Sequence, residues 1–281
     1  MTTLREIRRR LKSVENVKKI TDAMERVAGA RLRRAQISLE NSRPYALKMR
    51  EMVEHLAASE EFVHPLFEKR AVKKTALIVI AADKGLSGSY NSKILNSAEK
   101  FLQNYSKETI DLFLFGKKSI DYFQRRNWPI ESKITNWAGK ITLTEISSFS
   151  NQIIDDYSLG KYDEVWLIYT DYISISTRKI VVKKFLNFEK VEAEKLTKVP
   201  DYIYEPSANE ILSKLLPLYC SIGLQEALFE AYASELGARI MAMQMASKNS
   251  EEVMESLTIV RNKMRQEGIT REMIEIASGV Q

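Results

Sequence analysis

The 281-residue sequence holds one cysteine, Cys220, and two histidines, His55 and His64. A single thiol closes no internal disulfide and builds neither a cysteine metal cage nor a two-thiol redox switch, which suits a reducing compartment. Neither histidine has a ligand cluster around it, so structural or solvent-facing roles outrank metal binding for both. No apolar run approaches the roughly 20 residues that a membrane-spanning helix needs. Met1 leads straight into a charged helical pattern, with no apolar signal region and no Ser- and Arg-rich presequence. The expectation is a cytoplasmic protein.

Signatures of catalysis are equally sparse. The one glycine-containing turn after an apolar run is Ala82–Asn91, ADKGLSGSYN. A dinucleotide site would cradle a pyrophosphate there, at a helix N-terminus. Gly85 and Gly88 give only G-x-x-G, lacking both G-x-G-x-x-G and a Walker ending, so a plain strand-to-helix turn is the stronger reading. No serine lies in a G-x-S-x-G elbow, and no histidine lies in a motif that activates one. Asp155–Asp156 and Glu251–Glu252 are adjacent pairs, which on a helix point in different directions. Tyr157, Tyr162, Trp166, Tyr169 and Tyr172 fit a core and its rim better than a base-stacking platform. No cofactor and no metal are expected.

What the chain does have is apolar material, charge and periodicity. Hydrophobic residues make up 44% and charged residues 28%, enough for a sizeable core. The net charge of +6 is unevenly spread: residues 1–50 hold 14 Lys/Arg against 5 Asp/Glu, leaving the remainder slightly acidic. A basic stripe of this kind suits nucleic acid, an anionic membrane or an acidic protein partner.

Three segments follow from the periods. Over 1–60, Leu4, Ile7, Leu11 and Val14 step by three and four, the seam of a coiled coil. Val17 and Ile20 continue at steps of three, so the seam is read as drifting before Met24, Ala28, Leu32, Ala35 and Leu39 resume it. Some 50 helical residues span roughly 75 Å, too long for an ordinary core helix. Over 73–195 the period changes. Thr75–Ala82, Asp111–Phe115 and Val165–Thr170 read as strands buried on both faces, with Ile180–Leu186 a weaker fourth. Helix-compatible stretches near 91–105, 117–126 and 142–158 lie between them, which argues for an α/β sheet with right-handed crossovers. Over 207–281 the chain is helical again. Ile211, Leu215, Leu218 and Ile222 form one stripe, and Leu257, Val260 and Met264 another. Pro217 removes a backbone donor, so a kink or break is expected there.

The architecture expected is therefore α/β plus long helices. The N- and C-terminal helices form an antiparallel two-helix coiled coil, with a central Rossmann-like α/β domain at one end. From these features alone, a basic coiled-coil scaffold, a nucleic-acid-binding protein and a nucleotide-dependent enzyme with a helical arm all stay open; the missing phosphate loop counts against the last.

Longer strings narrow this. Thr3–Gln36 (TLREIRRRLKSVENVKKITDAMERVAGARLRRAQ) and Ala238–Gly279 (ARIMAMQMASKNSEEVMESLTIVRNKMRQEGITREMIEIASG) resemble the terminal signatures of F-type ATP synthase gamma subunits. Ser42–Ala46 (SRPYA), His64–Pro65, the ADKGLSGSYN turn and Tyr202–Pro206 (YIYEP) look like landmarks of the same family in the same order, so the resemblance runs over essentially the whole chain.

That resemblance implies a non-catalytic central-stalk rotor, present once per complex, inside a hexamer of alpha and beta subunits. It further implies the epsilon subunit and the c-ring as partners and no nucleic acid. The implied location is the cytoplasmic face of a bacterial membrane, reached peripherally through the complex. Residue by residue, it implies that Met24 faces the beta subunits and that Arg265 and Gln266 hydrogen-bond to a beta-subunit loop. The C-terminal helix, with Ile269 and Ile274, would turn in an apolar sleeve, while Tyr204 and Glu205 would touch the c-ring and epsilon. The basic face that includes Arg33 and Arg34 is expected to meet acidic beta-subunit loops. Ser87, Ser89, Arg26 and Pro217 depart from the family pattern. The paired-cysteine insertion of chloroplast members is absent, which implies no thiol regulation.

Overall fold

The computed structural model describes residues 3–57, 65–67, 70–186 and 207–279. Tyr204, Glu205 and His64 lie outside the described residues. Two compact units emerge, one from Met1–Ala30 with Arg239–Gln281, the other from Arg31–Ala238. Two helices run through both: α1, Leu4–Ala57, and α5, Ala208–Ser278.

The second unit is built on a five-stranded sheet. Its strands are β1 (Thr75–Ile80), β2 (Ile110–Phe115), β3 (Ile130–Ile134), β4 (Glu164–Tyr172) and β5 (Arg178–Leu186). Their order is β3-β2-β1-β4-β5; β1 to β4 are mutually parallel and β5 is antiparallel to β4. Between them lie α2 (Tyr90–Leu102), α3 (Lys117–Gln124) and α4 (Leu143–Ser158). Strand side chains alternate between faces. Leu77, Val79, Leu112 and Leu114 face one core with α2 and α3. Ala76, Ile78, Ile80, Phe113 and Phe115 face the other, with α4, the 46–56 stretch of α1 and the 212–231 stretch of α5. Burial on both sides explains why β1 and β2 read as unbroken apolar runs.

Two features of the second unit differ from the sequence expectations. Strand β3, IESKI, was not anticipated: its residues alternate half-buried and exposed at a sheet edge, so it shows no apolar run. Pro217 does not break α5, which passes through it. The buried Leu212, Leu216 and Cys220 hold that stretch against the sheet unit, and packing of this kind outweighs one lost backbone bond.

The first unit pairs the start of α1 with the end of α5. Ile7 and Ala28 are buried in its seam, with Leu4, Leu11 and Val14 half-buried. On α5 the protected positions include Ile240, Met243, Ser247, Ser250, Met254, Leu257, Arg261 and Met264, which follow one another at alternating steps of three and four. Three bridges share one antiparallel register: Lys18 with Glu251, Asp22 with Ser247 at 2.5 Å, and Glu25 with Gln244 at 2.8 Å.

The seam does not drift as the hydropathy suggested. Val17 and Ile20 are 47% and 59% exposed, while Lys18 is half-buried and Thr21 buried. The repeat therefore runs unbroken through Leu4, Ile7, Leu11, Val14, Lys18, Thr21, Glu25 and Ala28. Likewise Val260 is exposed and Arg261 takes the seam. Polar seam residues are invisible to a search for apolar steps.

Candidate partner-contact surface

The place where an α/β sheet of this order would bind a nucleotide is the carboxyl edge between β1 and β4, where the strand order reverses. In this chain that edge is occupied by protein. The Tyr90 hydroxyl donates to the Ala231 carbonyl of α5 at 3.0 Å, and Tyr90 packs with Ala82 and Ala238. A Cβ on Gly237 would lie 3.4 Å from the Ile175 carbonyl, so α5 rests directly on the β4–β5 turn.

The ADKGLSGSYN turn spends polar groups on itself and on the start of α3. The Ala82 amide donates to Asn91 Oδ1 at 3.1 Å, Asn91 Nδ2 donates to the Lys84 carbonyl, and the Lys117 amide donates to Asp83 Oδ1. Leu86 and Gly88 adopt positive φ to close it. The reading of a plain strand-to-helix turn stands on these bonds. Among the described residues, no group of three His, Cys, Asp or Glu side chains is placed to hold a metal ion.

The remaining candidate residues lie at the surface. In the first unit, α1 carries two chemically distinct outer faces. Arg5, Lys12, Lys19 and Arg26 recur every seven residues and are all exposed. Spaced about 10 Å apart on one helix face, they form a ladder of cations, and the same spacing continues in sequence to Arg33. On the other side, Val17, Ile20 and Val27 are exposed with Met24 half-buried beside them. On α5, Val253 and Val260 are exposed too. The polar bridges to Glu251, Ser247 and Gln244 occupy the flank on which Asp22 lies, leaving the apolar flank unbridged.

The end of α5 is bare. Carrying the interhelix register back to Leu4 brings it level with Arg265. Beyond that point the described side chains through Gly279 are all exposed, including Gln266 and the apolar Ile269, Met273, Ile274 and Ile276, the last at 70%. Such a helix end buries no apolar face of its own.

In the second unit, Arg31 and Arg34 of α1 and Lys140 of the β3–α4 loop line an open cleft of 440 Å³ whose walls include Trp137, Phe229 and Tyr232. Among the described residues, none of these three cations has an acidic partner within ion-pair distance. The loop is fixed by the Trp137 indole, which donates to the Ala81 carbonyl at 3.1 Å, and by Gly139 at φ +68, against the Tyr232 ring.

The candidate residues are thus distributed. Met24, Arg265, Gln266, Ile269 and Ile274 belong to the first unit, with Met24 on the apolar flank and the other four exposed. Arg33 and Arg34 are exposed on α1 in the second unit. The seven-residue cation spacing and Lys140 were not anticipated from the sequence. The former was legible once the true seam was known; the latter needed the fold.

A family profile described as ATP synthase matches residues 3–281. The ATP synthase gamma chain of Protochlamydia amoebophila is 44% identical over 282 residues, covering 100% of this chain and 99% of that one. That of Desulforamulus reducens is 39% identical, covering 99% and 98%. Among solved structures, the central stalk with c-ring of Tetrahymena thermophila mitochondrial ATP synthase aligns with a TM-score of 0.64 and 26% identity, covering 81% of this chain and 99% of that one. A chain of the Euglena gracilis mitochondrial OSCP/F1/c-ring assembly shares the fold, with a TM-score of 0.71 and 16% identity, over 99% of this chain and 93% of that one. Matched over nearly its full length in sequence and in fold, the chain belongs to the ATP synthase gamma chain family.

Proposed function

We propose that this chain is the central-stalk rotor of an F-type ATP synthase, coupling ion flow through a c-ring to conformational change at the beta subunits. It performs no chemistry of its own. The observation that carries this reading is the two-sided coiled coil ending in an unpartnered apolar tip. Such a surface suits a bearing whose wall changes along its length and around its circumference. A shaft that touched every state of its surroundings equally would shift none of them; a cationic face and an apolar face on one helix make those contacts unequal.

In this reading Met24 with Val17, Ile20 and Val27 faces the beta subunits, and Arg33 and Arg34 meet acidic beta-subunit loops. Arg265 and Gln266 hydrogen-bond to a beta-subunit loop at the base of the tip, and Ile269 and Ile274 turn in an apolar sleeve of the alpha–beta hexamer. Tyr204 and Glu205 contact the c-ring and epsilon. The working division is 1–60 and 207–281 as shaft helices and 73–195 as the α/β foot. None of the described helices is long and apolar enough to cross a membrane, so attachment is peripheral, at the cytoplasmic face of the bacterial membrane.

Affinity-tagged chain expressed in its native cell is expected to bring down alpha, beta and epsilon subunits together. Recovery of the tagged chain without alpha and beta, or with nucleic acid released by salt in their place, would remove the reading.

A further inference from the structure

The cleft lined by Arg31, Arg34 and Lys140 in the second unit differs from its neighbours in charge. None of its lining residues is an aspartate or glutamate. Three other clefts of that unit each contain a carboxylate, from Glu40, from Glu54 and Glu226, or from Glu108. Every basic residue lining those three also has a partner within the chain. Arg43 meets Glu230, Arg50 meets Glu226 and Lys184 meets Glu164. Lys183 lies over the Tyr169 ring, Lys107 donates to the Arg126 carbonyl and Lys133 to the Gln124 side chain. Arg31, Arg34 and Lys140 have no such partner among the described residues.

Gathering three unpaired cations at one opening is unfavourable unless an anion joins them. Arg31 and Arg34 are neighbours on one face of α1, where like charges repel, and Lys140 reaches the same cleft from the β3–α4 loop. The backbone beneath Lys140 is held in place: the Lys140 and Ile141 amides both donate to the Trp137 carbonyl at 3.0 Å, and the Trp137 indole is tied to Ala81. Guanidinium forks match phosphate oxygens two at a time, and an ammonium adds a point charge. The rest of the lining supplies aromatic surface, with Phe229 and Tyr232 of α5 half-buried at the cleft. Its 440 Å³ falls within the range of small-molecule sites.

We propose that this cleft binds a nucleoside polyphosphate, with its phosphates among Arg31, Arg34 and Lys140 and its base against Phe229 and Tyr232. The phosphates relieve the repulsion among the cations, and the base stacks on a surface that accepts any π-face. Arg34 is shared with the face proposed for beta-subunit loops; Arg31 and Lys140 are not, and they are the residues to test.

The test is calorimetric titration of the purified full chain, without alpha or beta subunits, at low ionic strength, where exposed cations are least screened. ATP is expected to bind at one site, about fivefold or more tighter than inorganic tripolyphosphate, which has no base to stack. Arg31→Ala and Lys140→Ala should each weaken ATP about tenfold. Lys140→Arg should retain binding, and Lys133→Ala, in a different cleft, should leave it unchanged. The comparison of ATP with tripolyphosphate needs no variant, so it decides the matter even where a variant folds poorly. No binding at millimolar ATP, equal affinity for tripolyphosphate, an equal loss in Lys133→Ala, or a glutamate-rich peptide that binds as tightly as ATP would each overturn the proposal.

Discussion

Single residues hold the carboxyl edge of the sheet, and their substitutions should read out there. Gly116 follows β2 at φ +93, and a Cβ on it would stand 2.1 Å from the Ala81 carbonyl oxygen. Gly116→Ala combines a strained backbone with a backbone clash, so urea unfolding is expected to show a loss of about 3 kcal/mol or more. The Trp137 indole donates to that same Ala81 carbonyl. Trp137→Phe keeps most of the ring and removes the donor, which should cost about 1–2 kcal/mol in the same assay. The two variants probe the same carbonyl. Neither position announces itself in sequence: Gly116 is one of ten glycines, and a lone tryptophan in a loop gives no hint of its acceptor.

At the level of elements, the correction to the seam makes an opposed pair of predictions. Ile7 is 1% exposed in the first unit, whereas Ile20, which the hydropathy steps placed on the same seam, points outward. Ile7→Ala should lower stability by about 2–4 kcal/mol. Ile20→Ser should leave the melt of the isolated chain within about 0.5 kcal/mol of wild type and instead weaken assembly with alpha and beta subunits, measured by co-sedimentation.

The contrast also shows what was readable beforehand. β1, β2 and β4 were visible because both their faces are buried and their sequences are therefore continuously apolar. β3 was not, because an edge strand bearing Glu131, Ser132 and Lys133 looks like a loop. The long helices were legible from their periodicity, but the register in the middle of α1 was not. There the seam positions are Lys18, Thr21 and Glu25: Lys18 and Glu25 meet Glu251 and Gln244 of α5, and the Thr21 hydroxyl donates to the Lys18 carbonyl of its own helix. Antiparallel pairing of polar side chains over so long a sequence separation leaves no local trace. Arg33, Arg34, Ile269 and Ile274 entered as contact candidates through the family resemblance, and their exposure is what the fold adds. The cation ladder and the Lys140 side of the cleft waited on the fold.

For the whole molecule, the distribution of charge governs how it meets its partners. With 14 of its 43 basic residues in the first 50 positions and the α1 ladder exposed, association with the acidic beta-subunit loops proposed above is expected to be steered electrostatically. Its on-rate should therefore fall steeply as ionic strength rises, while the off-rate, set by apolar contacts at Val17, Ile20 and the Ile269–Ile276 tip, changes little. Stopped-flow association at low and high salt separates the two. A basic chain that used the same residues for nucleic acid would show its salt dependence without alpha and beta subunits present.

The claim that this chain is turned rather than catalytic is tested most directly by watching it turn. With the alpha–beta hexamer fixed to a surface and a bead attached to the second unit of this chain, added ATP should drive rotation in one direction, in three equal steps per turn. A chain that binds the hexamer and permits ATP hydrolysis while the bead only fluctuates about a fixed angle would contradict the account.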